Sequence, residues 1–337
     1  MDLSILIVSW NVRELLRHCL LSLRQEMADD RQPLNGQSEV CRLSSEIWIV
    51  DNASTDGTVE MVRADFPDVR VIANSENVGF TRGNNKALVQ AQGRYLFLLN
   101  PDTELHPGAL QAMLDYVGAH PRVGIVGPRL YYGDGTTQSS RRRFPSLATA
   151  FFESTRLQQW FPHNRILSRY YMLDTADDAT QSVDWVNGSA MFVRRELYEQ
   201  IGGLDETFFM YSEELDWCYR AKQAGWEVVY LPTAQITHYE GKSSEQVAAQ
   251  RDIYFHSSKV HFFRKYRGRW AAEVLRAFLL LMFAYQIAEE GCKWLVGHKR
   301  GLRAQRIKAY AQVLKSGLRV ENYPIERKSP EEADGQV

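Results

Sequence analysis

Two short polar clusters hold the residue types best suited to chemistry. The first is Asn100-Pro101-Asp102, which closes the apolar run Tyr95-Leu96-Phe97-Leu98-Leu99. A carboxylate one residue past a proline-fixed bend suits a hard cation. Mg²⁺ or Mn²⁺ takes oxygen ligands from one or two carboxylates and from substrate phosphates. The competing reading is an Asx-type turn, with Asp102 capping a helix that starts near Pro107. The second cluster is Glu213-Glu214-Leu215-Asp216, at the start of a helical pattern. Clustered carboxylates raise one another's pKa toward working pH, which suits a general base. Compensation of the helix dipole is the plainer account. Glu213 and Asp216 share a face at i, i+3, and Asp216 pairs with Arg220 at i, i+4. Glu214 has no partner in sequence and is the candidate base.

The surrounding pattern must position these groups. Apolar runs at 3–9, 47–50, 69–72, 95–99 and 123–126 alternate with helical patterns. That alternation predicts an α/β fold with a doubly wound, mostly parallel sheet. In such a sheet ligands collect beyond the carboxyl ends of the strands. Three polar tips fall there: Ser9-Trp10-Asn11, Asp51-Asn52-Ala53-Ser54 and Asn100-Pro101-Asp102. Ser54 or Thr55 is placed to cap the helix through Val59 and Val62. Asp51 is placed to accept from a base N–H or a ribose hydroxyl. The first strand runs into Trp10-Asn11-Val12-Arg13-Glu14 without a glycine, so the backbone turn of a dinucleotide fold is excluded. A metal must then neutralise any pyrophosphate, which favours Asp102 as a ligand. Residues 28–45 read as a surface loop, and periodicity loosens from 130 to 182.

Composition sets the bounds. The chain has 337 residues and a formal net charge of −1, which argues against a general nucleic-acid binder. Cys19, Cys41, Cys218 and Cys292 lack paired metal spacing, so reduced thiols in a cytoplasmic protein are expected. The opening run reads as a strand and not as a signal peptide. The longest apolar run, 277–285, falls short of the ~20 residues of a membrane-spanning helix. Basic residues follow it from Lys293 to Lys308. Apolar stretch plus basic flank reads as association with the inner face of a membrane, or else as a packed hairpin or a homodimer interface.

Taken in order, these pieces resemble the family-2 glycosyltransferases of the GT-A fold, near the bacterial rhamnosyltransferase-like branch. The resemblance rests on the strand 5–11, Val50-Asp51-Asn52-Ala53-Ser54, Asn77-Val78-Gly79-Phe80 with Asn84, Leu99-Asn100-Pro101-Asp102, Asp184-Trp185-Val186 with Gly188, Gly202-Gly203-Leu204-Asp205 and Phe209–Asp216. It covers about residues 3–245, leaving 246–337 as a helical, basic appendage. It implies a nucleotide-diphosphate sugar donor, a divalent metal and a glycan or lipid-linked acceptor in cell-surface polysaccharide synthesis. It places donor contacts at Ser9, Asn11, Asp51, Ser54, Gly79, Asn84, Asn100 and Asp102, and acceptor contacts at Asp184, Trp185 and Gly188. It gives the metal to Asp102, with His238 as a further contact, and inverting catalysis to Glu214 beside Glu213 and Asp216. A rhamnosyl donor on dTDP is the first expectation. A sugar nucleotidyltransferase would need a Gly- and Lys/Arg-rich loop after the first strand, which is absent. A non-catalytic carbohydrate-binding relative would lose the carboxylates, and both are present.

Overall fold

The computed structural model describes residues 1–29, 43–155, 157–161, 164–239, 248–297 and 299–319. Most of the expected loop at 28–45, Cys41, and the boundary expected near residue 245 lie outside these. A single large sheet organises the chain. Its order is Arg70–Ala73, Ser45–Asp51, Leu3–Ser9, Tyr95–Leu99, Ala190–Arg194, Val123–Tyr131, Glu227–His238 and Thr103–Leu105. The first four pair in parallel, as the alternation predicts. Ala190–Arg194 then enters antiparallel to both of its neighbours, and Thr103–Leu105 closes the edge antiparallel.

Side chains on a strand alternate between faces, so a central strand feeds two cores. Leu6, Val8, Leu96 and Leu98 pack on one face; Leu3, Ile5, Ile7, Phe97 and Leu99 pack on the other. Every residue of Leu3–Ser9 and of Tyr95–Leu99 is buried, which is why both read as unbroken apolar runs.

Both helix caps expected from the sequence are replaced. The helix Ala109–Ala119 begins after Gly108, and the Glu26 carboxylate accepts from Gly108 N at 2.9 Å and Leu110 N at 3.1 Å. Asp102 therefore caps nothing there. The helix Thr58–Asp65 begins after Gly57, and Ser54 Oγ instead accepts from Asn11 N at 2.9 Å. The segment 183–193 forms two strands, Trp185–Val186 in a small second sheet and Ala190–Arg194 in the main one.

The last third packs against the sheet domain. Phe262, Phe263, Leu275, Leu279 and Phe283 share a core with Leu6 and Val8. The helix Ala248–Arg267 brings Lys265 Nζ to Asp205 Oδ2 at 2.7 Å and to Asp216 Oδ1 at 2.6 Å. Tyr266 Oη donates to Asp216 Oδ1 at 2.7 Å, and Arg220 Nε to Oδ2 at 2.8 Å. The helix Arg269–Leu295 has 27 residues and is, by length and composition alone, apolar enough to cross a membrane. It runs well past the apolar stretch counted in the sequence. Its outward face carries Trp270, Val274, Leu281, Tyr285 and Leu295, all exposed.

Removing Asp216 leaves Lys265 and Arg220 without their shared counter-charge. Asp216→Ala is expected to cost about 3 kcal/mol, the lower end for a broken buried pair, because both cations stay partly solvated. Urea unfolding reads this as a lower midpoint with an unchanged slope. A loss below about 1 kcal/mol would mean that the carboxylate is not held as a desolvated node.

Candidate active site

The polar strand tips and the carboxylate helix meet at one cleft of about 850 Å³. Ser9, Asn52, Asn100 and Asp102 enter from the strand ends; Gly188, Ser189, Glu213 and Glu214 enter from the opposite wall. Much of the remaining lining is aromatic, from Trp10, Phe80, Tyr132, Phe209, Tyr211, Tyr239, Tyr254 and Phe255.

Asp102 reaches the cleft because the next residues, Thr103–Leu105, pair with the end of the strand Glu227–His238. That register sets His238 opposite Thr103 and brings His238 Nε2 to 3.3 Å from Asp102 Oδ1. His238 Nδ1 lies 3.0 Å from Gln138 Oε1, which can only accept, so Nδ1 carries the proton. In the neutral imidazole Nε2 then presents a lone pair beside a carboxylate oxygen, with Asn100 Nδ2 at 3.4 Å. Two acceptors this close suit adjacent positions on one small cation, whose bonds of about 2.1 Å set octahedral neighbours about 3 Å apart. A buried acceptor behind the ring is the usual support for a ligating histidine. Among the described residues no group of three His, Cys, Asp or Glu side chains forms a metal cluster. Asp102 and His238 would fit a site completed by substrate phosphates and water.

Glu213 and Glu214 open the helix Glu213–Gln223. Tyr211 and Ser212 just before it both have left-handed φ, 68° and 66°. This tight entry is tied down from two sides. Phe209 O accepts from Phe80 N at 3.0 Å, at the start of the helix Gly79–Gln90, and Met210 O accepts from Ser258 Oγ at 2.8 Å. The first contact demands glycine at 79, where φ is +87° and a Cβ would lie 2.6 Å from Phe209 O.

The two glutamates differ. Glu213 is 4% exposed, and burial, then the charge of Glu214, pushes its pKa well above the usual carboxylate range. Burial also raises Glu214, but backbone N–H groups of the helix start and the nearby Arg142 guanidinium hold it back. Both carboxyls are thus shifted upward, Glu213 the further of the two. Gly188 packs against it, and a Cβ there would lie 3.2 Å from Glu214 Cβ.

Several expected contacts lie elsewhere. Asp216 is fully buried and bound to Arg220, Lys265 and Tyr266, so it positions the helix and does not face the cleft. Asp184 binds Lys222 Nζ at 2.7 Å and Phe144 N at 2.8 Å, outside the cleft. Trp185 is buried beneath the Arg142 guanidinium. Asn11 and Ser54 staple the first two strand tips together, with Asn11 Oδ1 accepting from Thr55 N at 2.8 Å. Asn84 donates to Phe80 O and supports the helix behind the cleft. Asp51 accepts from Ser54 N at 2.9 Å through Oδ2, while Oδ1 is buried without a partner. Unforeseen from the sequence are Asn52, Asn77, Gln138, Arg142 and the helix face Gln250–Phe255. The three consecutive arginines at 141–143 were the one available signal for Arg142.

The family model described as glycosyl transferase family 2 matches residues 4–219. An N-acetylglucosaminyl-diphospho-decaprenol L-rhamnosyltransferase of Mycobacterium tuberculosis is 30% identical over 238 residues, covering 67% of this chain and 77% of its own. Rhamnosyltransferase WbbL of Escherichia coli is 30% identical over 173 residues, covering 48% of this chain and 61% of its own. The structure of mannosyltransferase PcManGT from Pyrobaculum calidifontis, in complex with GDP-Man and Mn²⁺, is similar at a TM-score of 0.53 and 16% identity, covering 95% of this chain and 86% of that one. The fold is that of the GT-A glycosyltransferases.

The raised pKa of Glu213 has a testable sign. A carboxyl whose folded pKa exceeds its unfolded value stabilises fully below the unfolded value and loses that contribution as pH rises through the folded one. Glu213→Gln fixes the neutral form. It should raise the thermal midpoint more at about pH 8 than at about pH 5, by the equivalent of at least about 1 kcal/mol. Thermal unfolding at both pH values checks this; a gain equal at both would rule out the perturbed carboxyl.

Proposed function

The chain belongs to glycosyl transferase family 2, and on that premise we propose that its cleft inverts a sugar centre while moving it from a nucleoside-diphosphate donor to an acceptor hydroxyl. The observation that carries this reading is the gathering of unsatisfied groups. Ser9 Oγ, Ser189 Oγ, Glu213 Oε2 and Glu214 Oε2 are all buried, all without a hydrogen-bond partner, and all on residues lining one cleft. Buried polar atoms are normally paired, so their convergence marks the place of a polar ligand.

Asp102 and His238 would hold the cation, which when bound supplies charge neutralisation for the leaving diphosphate. Mn²⁺ and Mg²⁺ both suit a site completed by carboxylate and phosphate oxygens. The unpartnered Asp51 Oδ1 is suited to a nucleobase N–H. Glu214 takes the proton of the acceptor hydroxyl as its oxygen bonds to the anomeric carbon. The bond from that carbon to the diphosphate oxygen breaks on the opposite face, which inverts the centre. The upward shift of Glu213 favours its neutral form, which keeps a second negative charge away from Glu214. By likeness to the relatives, the donor sugar is rhamnose and the acceptor a lipid-diphosphate glycan for the cell surface.

The second element of the reading is a membrane surface beneath the exposed apolar face of Arg269–Leu295, with Arg267, Arg269, Arg300, Arg306 and Lys308 exposed around it. Apolar face plus basic rim is the pattern of an interfacial helix on anionic lipid.

Two measurements test this reading. With a panel of nucleotide-sugars, Glu214→Gln should bind donor normally yet lose about 10²–10⁴-fold in transfer, while Asp102→Ala should lose metal-dependent donor binding. Near-normal transfer by Glu214→Gln would move the base to another group. Separately, Val274→Glu/Leu281→Glu should weaken partition onto anionic vesicles by about tenfold or more. Unchanged partition, with loss of a dimer instead, would assign that face to a second copy of the chain.

A further inference from the structure

A second cavity of about 490 Å³ lies behind the carboxylate loop, among Thr207, the helix Ala248–Arg267, the start of Arg269–Leu295 and residues 318–319. Four guanidinium groups line it, from Arg264, Arg269, Arg276 and Arg319. They face one carboxylate, Glu273. Arg276 takes up that carboxylate, with Nε at 2.8 Å and Nη2 at 2.7 Å. Its Nη1 donates to Gly317 O at 3.2 Å, so its position is fixed. Arg264, Arg269 and Arg319 have no carboxylate or carbonyl partner among the described residues. Their charge is nonetheless felt inside: the Glu273 carboxyl is held below its usual range first by the Arg276 hydrogen bond, and further by Arg276, Arg264 and Arg269 as charges.

Like charges placed together repel, so an uncompensated arginine cluster around a concave space requires a reason. Arg264, Arg269 and Arg319 are exposed, but they border one concave space with a polar floor. Ser257 lines it, and its hydroxyl is wholly buried and has no hydrogen-bond partner. Thr207 Oγ1 lies on the wall, 2.8 Å from His261 Nε2. Planar guanidinium forks match tetrahedral oxyanions, and arginine is the residue of choice where phosphate is recognised.

We propose that this cavity is an oxyanion site, distinct from the donor cleft, that takes a phosphate or diphosphate group. An occupant would bridge the helix Ala248–Arg267 and Thr207, in the segment that leads to Glu213. It would thereby brace the wall of the cleft from behind. The group could be borne by a diffusible phosphate ester or by a lipid headgroup, and the two are separable by experiment.

The probe is inorganic pyrophosphate titrated calorimetrically into the full chain, with chelator present so that metal-dependent binding at Asp102 is silent. Saturable binding is expected. Arg264→Ser/Arg269→Ser should weaken it at least tenfold, about the contribution of one charge-assisted contact. Those side chains have no partners to lose, so the variant should unfold at the wild-type temperature. Glu273→Gln removes the competing carboxylate and should tighten binding, while Asp102→Asn should leave it unchanged. Competition by phosphatidic-acid vesicles, but not by phosphatidylcholine vesicles, assigns a lipid headgroup; its absence assigns a diffusible ester. The proposal is overturned if pyrophosphate and both vesicles fail to bind. It is equally overturned if the arginine variant binds like wild type, or if Asp102→Asn abolishes binding. Glu214→Gln and Asp102→Ala do not touch this cavity, so failure of the transfer reading would leave this result standing.

Discussion

A carboxylate without access to water must be neutralised where it stands, and Asp216 dictates much of the molecule on that account. Three donors from two helices reach it, two of them cationic. Lys265 also binds Asp205, so one ammonium fixes both ends of the segment between Asp205 and Asp216. Within that segment lie the left-handed pair Tyr211–Ser212 and both cleft glutamates. The helix Ala248–Arg267 therefore does more than cover apolar surface. It sets the height of the cleft wall, and its early residues Tyr254 and Phe255 complete the lining. The ring of Tyr254 stacks on Phe209 at 4.6 Å, which places an aromatic clamp over the carbonyl that caps Gly79–Gln90.

The two walls of the cleft are built by different physics. The strand-end wall follows from parallel pairing, which aligns Ser9, Asp51 and the Asn100 tip on one edge, as in other open α/β sheets. The opposite wall depends on close approach. A side chain at Gly188 would crowd Glu214, and Gly79 must lack one for the Phe209 carbonyl to reach the helix start. Position along each wall then decides chemistry. Glu213 and Glu214 both line the cleft and are both desolvated, Glu214 with Arg142 nearby, while Asp216 turns away into a charge-paired interior.

How much of this could be read from residues alone follows the range of the interactions. Leu3–Ser9 and Tyr95–Leu99 were legible because each is buried on both faces, whereas the edge strand Arg70–Ala73 is half exposed and showed only as a short run. Ala190–Arg194 was legible as a strand, but its direction was not, since an apolar run has no arrow. Asp102 was legible as a ligand candidate, yet its rival role as a cap could be dismissed only once Glu26, far away in sequence, was seen to hold Gly108 and Leu110. Helical spacing grouped Glu213 with Asp216. It could not show that Lys265 would claim the latter, because 49 residues separate the partners. The pairing of His238 with Asp102 follows from an antiparallel edge that no local pattern announces. Gln138 behind it carries no signal in its own neighbourhood.

That 49-residue separation has a consequence for how the chain is made. The ribosome delivers the carboxylate helix well before the lysine that neutralises it. At about 5–20 residues per second, the gap is roughly 2–10 s. During it the sheet can assemble strand by strand, but Asp216 must stay hydrated, because burying it without Lys265 and Tyr266 is too costly. The nascent cleft is thus held open and unfinished until the later helix leaves the exit tunnel. The order of synthesis puts closure of the second wall after the strands, with the helices Arg269–Leu295 and Arg300–Ser316 still to follow. A chain truncated by premature termination in that interval would display a nearly complete sheet with its acidic helix still loose.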